Sequence, residues 1–459
     1  MVYFPQYMKK NLKLLIFIAL VFIVSGVSYT IAREIKKKNS VISQTTINDA
    51  VKDQVKDSTT AVTEEEGDNT SGTIYVWGNN DVGQIGLLSS PKTKPEKLTV
   101  VDDVQTLVSG EMHSAYLSQK GVLYTWGSNE LHQLARPESE VYNIPGPVKN
   151  LPKIKTVSTS YRHMLALAEN GTVYAWGSNY TGQIGDGTNT TAREIFKVPN
   201  LPSIVGIAAG YKFSMALAKD GTVYVWGATC ASYGERMLQN LSNDLKQSAS
   251  GYYDPIISPR VQATLEEDCK NEDVVGIQSR IPKKLADINE AIQVVAGYGH
   301  GLILKKDGTV WSFGCNLYGQ LGNRGTQNSP KNSLVLQVPD LENIQMVAAG
   351  FRHSLALSKD GTVYMWGGSI ARDAGDDVRV FPNRALVKVT GLPKIKKIVG
   401  GKDYSLAIAE DGRLFGWGNN AYHILSPSNT TTFTTPIEIK LPFKVREVGA
   451  GADFIVASE

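Results

Sequence analysis

Histidine is the residue type in this 459-residue chain whose spacing first suggests chemistry, because imidazole can act as a general base or a metal ligand. Four histidines fall at equivalent places in a repeated motif, and other residues occupy that place in the remaining copies. The seven positions hold His113, His163, Phe213, His300, His353, Tyr404 and Phe454. A position that accepts phenylalanine is a poor candidate for catalysis or metal binding. We therefore predict a structural role.

Other signatures of catalysis are weak. Three cysteines are too few for a four-cysteine zinc site. Glycine-rich phosphate loops and helix-borne catalytic pairs are not recognisable in the sequence. Asp373, Asp376 and Asp377 form a local acidic cluster that solvation of a loop explains. We expect no enzyme activity, no cofactor and no metal.

Composition limits the classes of partner. Lysine and arginine number 47 against 44 acidic residues, a net charge of +3 that argues against nucleic-acid binding. The 43 glycines, 20 tyrosines and seven tryptophans favour a turn-rich β protein.

Two motifs recur in a fixed order along the chain. The first is an aromatic residue followed by glycine at the end of an alternating strand. It occurs at Trp77, Trp126, Trp176, Trp226, Phe313, Trp366 and Trp417. The second is the histidine motif, as in Gly350–Leu357. In its first six copies, the histidine position lies 13 residues before the aromatic residue of the next aromatic-glycine pair. Turn pairs such as Asp307-Gly308 lie between them and predict a β-hairpin.

The two ends of the repeated region complement each other. In repeat register the last residue, Glu459, aligns with Ala168, and Gly72 aligns with Gly171. The final unit therefore needs strands from both termini, which is how a ring of blades closes without a free edge. We predict an all-β, seven-bladed propeller over 72–459. An open solenoid, the alternative, would not need complementary ends.

The repeats resemble the regulator of chromosome condensation family. Tyr174–Gly185 and the histidine motif carry this resemblance, which covers 72–459. It implies the propeller fold. It is less informative about activity, because the family includes exchange factors, ubiquitin-ligase modules, bacterial surface proteins and a secreted β-lactamase inhibitor.

The position two residues before the histidine is the candidate binding position. In the exchange-factor branch, the resemblance implies acidic and histidine residues on the face that grips the GTPase. Here the seven positions hold Glu111, Tyr161, Tyr211, Tyr298, Phe351, Lys402 and Ala452. Ring symmetry predicts that the aromatic members meet around the channel at one face, where such a cluster is typical of a protein-binding hot spot. The alternative is that the rings pack against neighbouring loops. We predict that the first five positions bind a partner.

The amino-terminal region is expected to lie outside the fold. Residues 14–32 carry no charge over 19 residues, enough to cross a bilayer, and follow a short basic segment at 1–13. A cleaved signal peptide with Thr30 and Ala32 at its cleavage site is the alternative. Residues 33–71 are polar and predict a flexible tether.

One large insertion, at about 230–280, interrupts the repeats. Cys230 and Cys269 bracket it. A disulfide between them is expected if the domain is extracellular, and two unrelated buried thiols are the alternative. Cys315 follows an aromatic-glycine pair and is expected to be buried.

The function expected from these features is that of a single-pass membrane protein whose propeller lies outside the cell. It would be monomeric and bind an unknown protein or surface polymer without catalysis. A guanine-nucleotide exchange factor is one alternative, and a propeller that binds cell-wall polysaccharide is another.

Overall fold

The computed structural model describes residues 72–87, 91–229, 278–316, 318–322, 335–368 and 386–459. They belong to one compact unit, Thr70–Glu459. Within them, 28 strands form seven antiparallel sheets of four strands each. The predicted all-β, seven-bladed architecture is confirmed. The predicted membrane span, the tether and most of the insertion lie outside these residues. In the part of the chain that is described, no helix is both long and apolar enough to cross a membrane.

The strands follow the chain order around the ring. Strands β1 (Gly72–Gly78) and β2 (Lys92–Val100) belong to the last blade, blade 7. Blade 1 contains β3 (Val104–Ser109), β4 (His113–Ser118), β5 (Leu123–Gly127) and β6 (Gly146–Pro147). Blade 2 contains β7 (Ile154–Thr159), β8 (His163–Ala168), β9 (Val173–Gly177) and β10 (Ala192–Lys197). Blade 3 contains β11 (Ile204–Ala209), β12 (Phe213–Ala218), β13 (Val223–Ala228) and β14 (Gln278–Lys284).

The second half of the ring repeats this plan. Blade 4 contains β15 (Ala291–Ala296), β16 (His300–Lys305), β17 (Val310–Gly314) and β18 (Leu336–Gln337). Blade 5 contains β19 (Ile344–Ala349), β20 (His353–Ser358), β21 (Val363–Gly367) and β22 (Val387–Lys388). Blade 6 contains β23 (Ile395–Gly400), β24 (Tyr404–Ala409), β25 (Leu414–Asn419), the 3₁₀ turn Ala421–His423 and β26 (Thr432–Ile439). Strands β27 (Glu447–Ala450) and β28 (Phe454–Ser458) complete blade 7.

Blade 7 closes the ring with strands from both ends of the described chain. Strand β1 pairs antiparallel with β28, from Ile74 opposite Ser458 to Gly78 opposite Phe454. The sheet order is β2-β1-β28-β27. This pairing confirms the closure predicted from the repeat register, and it removes the free edges that an open array would expose.

Apolar side chains fill the spaces between neighbouring blades. One cluster joins Leu165 of blade 2 to Ile204 and Trp226 of blade 3, all at most 3% exposed. The tryptophans of the aromatic-glycine motif are buried, as a packing role requires. The rigid core of the propeller is therefore shared between blades.

The turns lie on two opposite faces. The inner strand of a blade is the one that lines the channel, such as β7 in blade 2. On the mouth face, the turn from the inner strand to the second strand meets the loop after the third strand. In blade 2, Ser178 N in that loop donates to Arg162 O in that turn at 2.8 Å. Ala228, the last residue of the strand before the insertion, lies there as well, because its N–H donates to Lys212 O at 2.8 Å. The opposite, hairpin face carries the Asp-Gly turns. At one of these turns Gly308 has φ +84°, which favours glycine.

Candidate functional site

The recurring histidines connect one blade to the next. His163 Nε2 lies 2.9 Å from Ser214 Oγ, and that hydroxyl donates to the carbonyl of Gln183 at 2.8 Å. Trp226 Nε1 donates to the same carbonyl at 2.8 Å. Blades 4 and 5 repeat the arrangement, with His300 Nε2 3.0 Å from Ser354 Oγ. The motif residues thus form inter-blade hydrogen bonds, as a structural role predicts.

Burial keeps these imidazoles neutral. It lowers the pKa of His113, His163 and His300 to about 3, and that of His353 to about 4. The preceding glycine makes room for the ring: a Cβ on Gly350 would lie 2.1 Å from Cε1 of His353. Among the described residues, no group of three or more histidine, cysteine or acidic residues could hold a metal ion.

Four aromatic side chains meet at the channel mouth. The ring centroids of Tyr161 and Tyr211 are 4.1 Å apart, and those of Tyr211 and Tyr298 are 4.0 Å apart with the rings nearly parallel at 22°. Phe351 follows at 5.2 Å from Tyr298. All four are half-buried. We call these four residues the aromatic string. The expected proximity of these positions is therefore observed, and the rings pack against one another. That they bind a partner stays a prediction.

The backbone fixes the spacing of the string. Tyr211 N donates to Tyr298 O, Tyr298 N donates to Phe351 O, and Phe351 N donates to Lys402 O, each at 3.3 Å. These bonds join successive turns of blades 3 to 6. The string is consequently held by the ring itself and not by a flexible loop.

Charged side chains flank the string. Arg162 lies over the ring of Tyr161 at 4.8 Å, and Lys212 lies over the ring of Tyr211 at 5.2 Å. Glu111, the first predicted binding residue, has its carboxylate 3.8 Å from Arg162 Nε. Burial raises the pKa of Tyr161, so its hydroxyl stays protonated. These two flanking cations were not among the predicted binding residues, although both directly follow a predicted aromatic position.

The turns of blades 6 and 7 at the mouth carry more acidic than basic side chains. Lys402 and Asp403 come from blade 6, and Asp453 comes from blade 7. Burial raises the pKa of Asp453, while the Lys402 ammonium acts in the opposite direction. The mouth therefore has a cation-flanked aromatic arc on one side and carboxylates on the other.

Behind the mouth, the channel keeps a cavity of about 70 Å³. Its walls are mainly glycine and alanine, with hydroxyl groups from Ser109, Thr159 and Ser160. Lys402 is the one charged side chain among the described lining residues. A space this small admits only small groups, so a macromolecular partner would bind over the mouth.

The cysteine prediction falls largely outside the described residues. Cys230 and Cys269 are both outside them, so the bond between these two remains a prediction. Cys315 is buried, as expected, at 6% exposed, and it is disulfide-bonded in the structure. Because the chain has three cysteines, a bond from Cys315 and a Cys230–Cys269 bond within one chain exclude one another, so the bonded state of Cys315 argues against the predicted pairing.

Comparisons with known sequences identify the repeats. Residues 73–457 match the model of the RCC1-like domain. Protein pim1 of Schizosaccharomyces pombe is 35% identical over 147 residues, which are 30% of this chain and 27% of that protein. The secretion-regulating guanine nucleotide exchange factor of Bos taurus is 32% identical over 143 residues, 28% of this chain and 30% of that protein. The chain thus spans less than a third of either relative.

Solved structures agree in fold. Prp20p from Saccharomyces cerevisiae, described with its binding to Gsp1p and histones, superposes with a TM-score of 0.63 at 22% identity, covering 85% of this chain and 92% of that one. Human WBSCR16 gives 0.64 at 19% identity, covering 84% and 98%. At these identities the similarity establishes the propeller fold alone.

Proposed function

This chain belongs to the RCC1-like domain family, and we propose that its propeller binds a partner protein at the channel mouth while the segment 14–32 anchors it in the membrane. The observation that carries this proposal is the aromatic string. Half-buried tyrosine and phenylalanine side chains offer apolar area at a low entropy cost, and tyrosine adds a hydroxyl for hydrogen bonding. The proposal assigns binding to the propeller and no catalysis.

The packing of the string favours a protein over a polysaccharide. Tyr211 has Tyr161 on one side and Tyr298 on the other, at 4.1 and 4.0 Å between centroids. Tyr298 stacks on its ring at 22°, and Lys212 lies over the ring at 5.2 Å, so little of its face is left open. A sugar that stacks on an aromatic residue needs an open face, whereas a protein surface can pack against ring edges and hydroxyl groups.

The charge arrangement would orient the partner. Arg162 and Lys212 lie along the aromatic arc, whereas Asp403 and Asp453 lie across the mouth. Complementary charges mainly increase association rate and fix register, while the apolar centre supplies most of the affinity. We therefore assign the aromatic string to affinity and the flanking charges to orientation.

Guanine-nucleotide exchange is the second candidate function. It is favoured by the similarity to the secretion-regulating guanine nucleotide exchange factor, which covers 28% of this chain. Release of a fluorescent GDP analogue from the small GTPases of the source cell tests it. We expect no acceleration by the full-length chain, and a rate increase that Glu111→Ala abolishes would favour exchange activity instead.

The anchor is a separate part of the proposal. The uncharged stretch 14–32 supports membrane insertion, and an extracellular propeller follows from the large domain after it. Alkaline carbonate should leave the chain in the membrane fraction, and protease added to intact cells should digest the propeller. Release of the chain by carbonate, or protection until the cells are lysed, would contradict this part.

Site-specific cross-linking tests the binding face. A photoreactive phenylalanine analogue at position 351 of the full-length chain, irradiated on cells, should give a discrete adduct with one partner. The matched control places the analogue at Val387, which is 37% exposed on the outer strand of the same blade. An adduct from position 387 with none from position 351 would place the partner elsewhere and overturn the proposed face.

A further inference from the structure

We propose that the hairpin-face end of the channel is a second binding site, which takes an acidic peptide segment that also carries apolar side chains. This site is independent of the channel mouth and goes beyond the proposed function. It is formed by the residue that follows the first core residue of each inner strand. The seven positions hold Gln105, Lys155, Val205, Ile292, Gln345, Lys396 and Arg446. We call this set the basic rim.

Each rim residue of blades 1 to 6 lies at a bulge near the start of its inner strand. In six blades the pairing register shifts across this position, as between Val104 and Thr106 in blade 1. In blade 7, Arg446 directly precedes β27. A bulge leaves its extra residue out of the ladder and re-aims the side chain. The rim is therefore a repeated structural feature.

Hydrogen bonds connect the rim across four adjacent blades. Lys397, next to Lys396, donates from Nζ to Glu447 of blade 7 at 2.7 Å. Arg446 Nη2 then donates to the carbonyl of Val104 in blade 1 at 2.8 Å. The next residue, Gln105, reaches the carbonyl of Lys155 in blade 2 at 3.4 Å from its Nε2. These contacts place the three rim cations on one continuous arc.

The cations on this arc are not neutralised within the described residues. Lys155, Lys396 and Arg446 are exposed, and none forms an ion pair with another described residue. The carboxylate of Glu447 is paired with Lys397 instead. None of the seven rim positions holds an acidic residue. Two exposed acidic residues adjoin the arc: Asp103 of blade 1, and Glu459, which follows the Ser458 carbonyl that accepts from Arg446 N at 3.0 Å. Three rim cations therefore face two acidic side chains, which leaves the arc a small positive excess.

The opposite arc of the rim is apolar. Val205 is 39% exposed and Ile292 is 53% exposed, in the neighbouring blades 3 and 4. Single exposed apolar residues need no explanation, but these two occupy equivalent positions in adjacent blades. An acidic segment with apolar side chains would satisfy both arcs at once. A purely polyanionic chain would leave Val205 and Ile292 unused, so the two arcs together, one cationic and one apolar, favour the peptide.

Binding of a synthetic acidic peptide tests the basic rim. A fluorescein-labelled 18-residue peptide, with leucine at every third or fourth position and glutamate elsewhere, is titrated with the full-length chain by anisotropy. The triple variant K155A/K396A/R446A should weaken binding about tenfold or more, because three charge contacts are lost. The double variant V205S/I292S should weaken binding several-fold.

The hairpin face supplies a matched control. Lys153 and Lys394 lie two residues before rim cations, but their ammonium groups are paired with Glu169 at 3.0 Å and Glu410 at 2.9 Å. K153A/K394A removes two charges from the same face and should leave affinity for the probe within about twofold of wild type. Melting temperatures of all variants verify folding. Phe351→Ala at the channel mouth should not change binding of this probe.

Three outcomes would overturn the proposal. Equal weakening by K153A/K394A and by the rim variants would show a general charge effect. Inorganic polyphosphate that binds as tightly as the peptide and is insensitive to V205S/I292S would identify a polyanion site. Failure of the peptide to bind the wild-type chain at physiological ionic strength would remove the site, while leaving the proposed function at the channel mouth untouched.

Discussion

The Nε2 atom of His163 lies 2.9 Å from the Oγ of Ser214 in the next blade. Since that hydroxyl donates its own proton to the Gln183 carbonyl, it accepts from the imidazole, which therefore carries its proton on Nε2. Together with the low pKa, this arrangement identifies the histidine as a buried connector between blades. The recurring histidines are therefore structural.

Replacing one connector should separate packing from hydrogen bonding. His300→Ala should lower the free energy of unfolding by about 3 kcal/mol, because it leaves a cavity in a fully buried position. His300→Phe, the residue that the chain itself has at Phe213 and Phe454, should cost only about 1 kcal/mol for the lost hydrogen bond. Urea unfolding measures both. Equal losses would mean that ring volume matters little at this position.

Stability should fall in mild acid. The folded-state pKa is about 3 for His113, His163 and His300 and about 4 for His353, below the ordinary 6.5. Between these values the unfolded chain binds protons that the folded chain does not, so stability is present above pH 6.5 and is lost as the pH falls. With four such groups, the slope approaches about 5 kcal/mol per pH unit.

Urea midpoints at pH 7.5, 6.5 and 5.5 test this dependence. His353→Phe removes one titrating connector and should reduce the slope below pH 6 by about a quarter. A stability that is constant or rises between pH 7.5 and 5.5 would contradict the buried, neutral state of the histidines.

Ring closure should be essential to the fold. Deleting 72–88 removes β1, whose pairing with β28 closes blade 7. The truncated chain should lose its cooperative melting transition and associate through the exposed strand edges. A monomeric truncated chain with an unchanged transition would show that the pairing of Gly78 with Phe454 is dispensable.

The cysteines allow one disulfide and one free thiol per chain. We expect mass mapping of non-reduced peptides from exported protein to find one disulfide and one free thiol per chain. A Cys230–Cys269 peptide would support the pairing predicted from the insertion borders. A linked peptide containing Cys315, which is disulfide-bonded in the structure, would make that pairing wrong. Three free thiols would weaken the extracellular proposal.

The blades and their closure were predictable because they depend on periodic sequence. Gly72 aligning with Gly171, and Glu459 with Ala168, already placed both termini in one blade. The same equivalence placed Tyr161 at the channel mouth with the other aromatic residues. Local repetition is enough for such conclusions, because equivalent residues of a propeller lie at similar distances from its axis.

Contacts between blades were not predictable in the same way. Whether Tyr211 stacks on Tyr298 depends on how closely the turns of two neighbouring blades approach each other, which the sequence of a single repeat does not encode. The basic rim was missed for a different reason. Alternation along a strand assigns Lys155 and Thr156 to opposite faces, but the shift in register between Ile154 and Thr156 breaks that alternation.

Comparing binding with stability at one residue of the aromatic string tests whether the channel mouth is a partner site. Phe351 is the end member of the string and has one described ring neighbour in it, Tyr298 at 5.2 Å. For the partner captured at position 351, Phe351→Ala should weaken binding by about 2 kcal/mol, roughly 30-fold, with a smaller change in the free energy of unfolding. Tyr180→Ala, at a 39% exposed tyrosine in a mouth-face loop of blade 2, is the control and should leave both unchanged. Unaltered affinity in Phe351→Ala, or a loss of binding fully explained by unfolding, would contradict a partner site at the channel mouth.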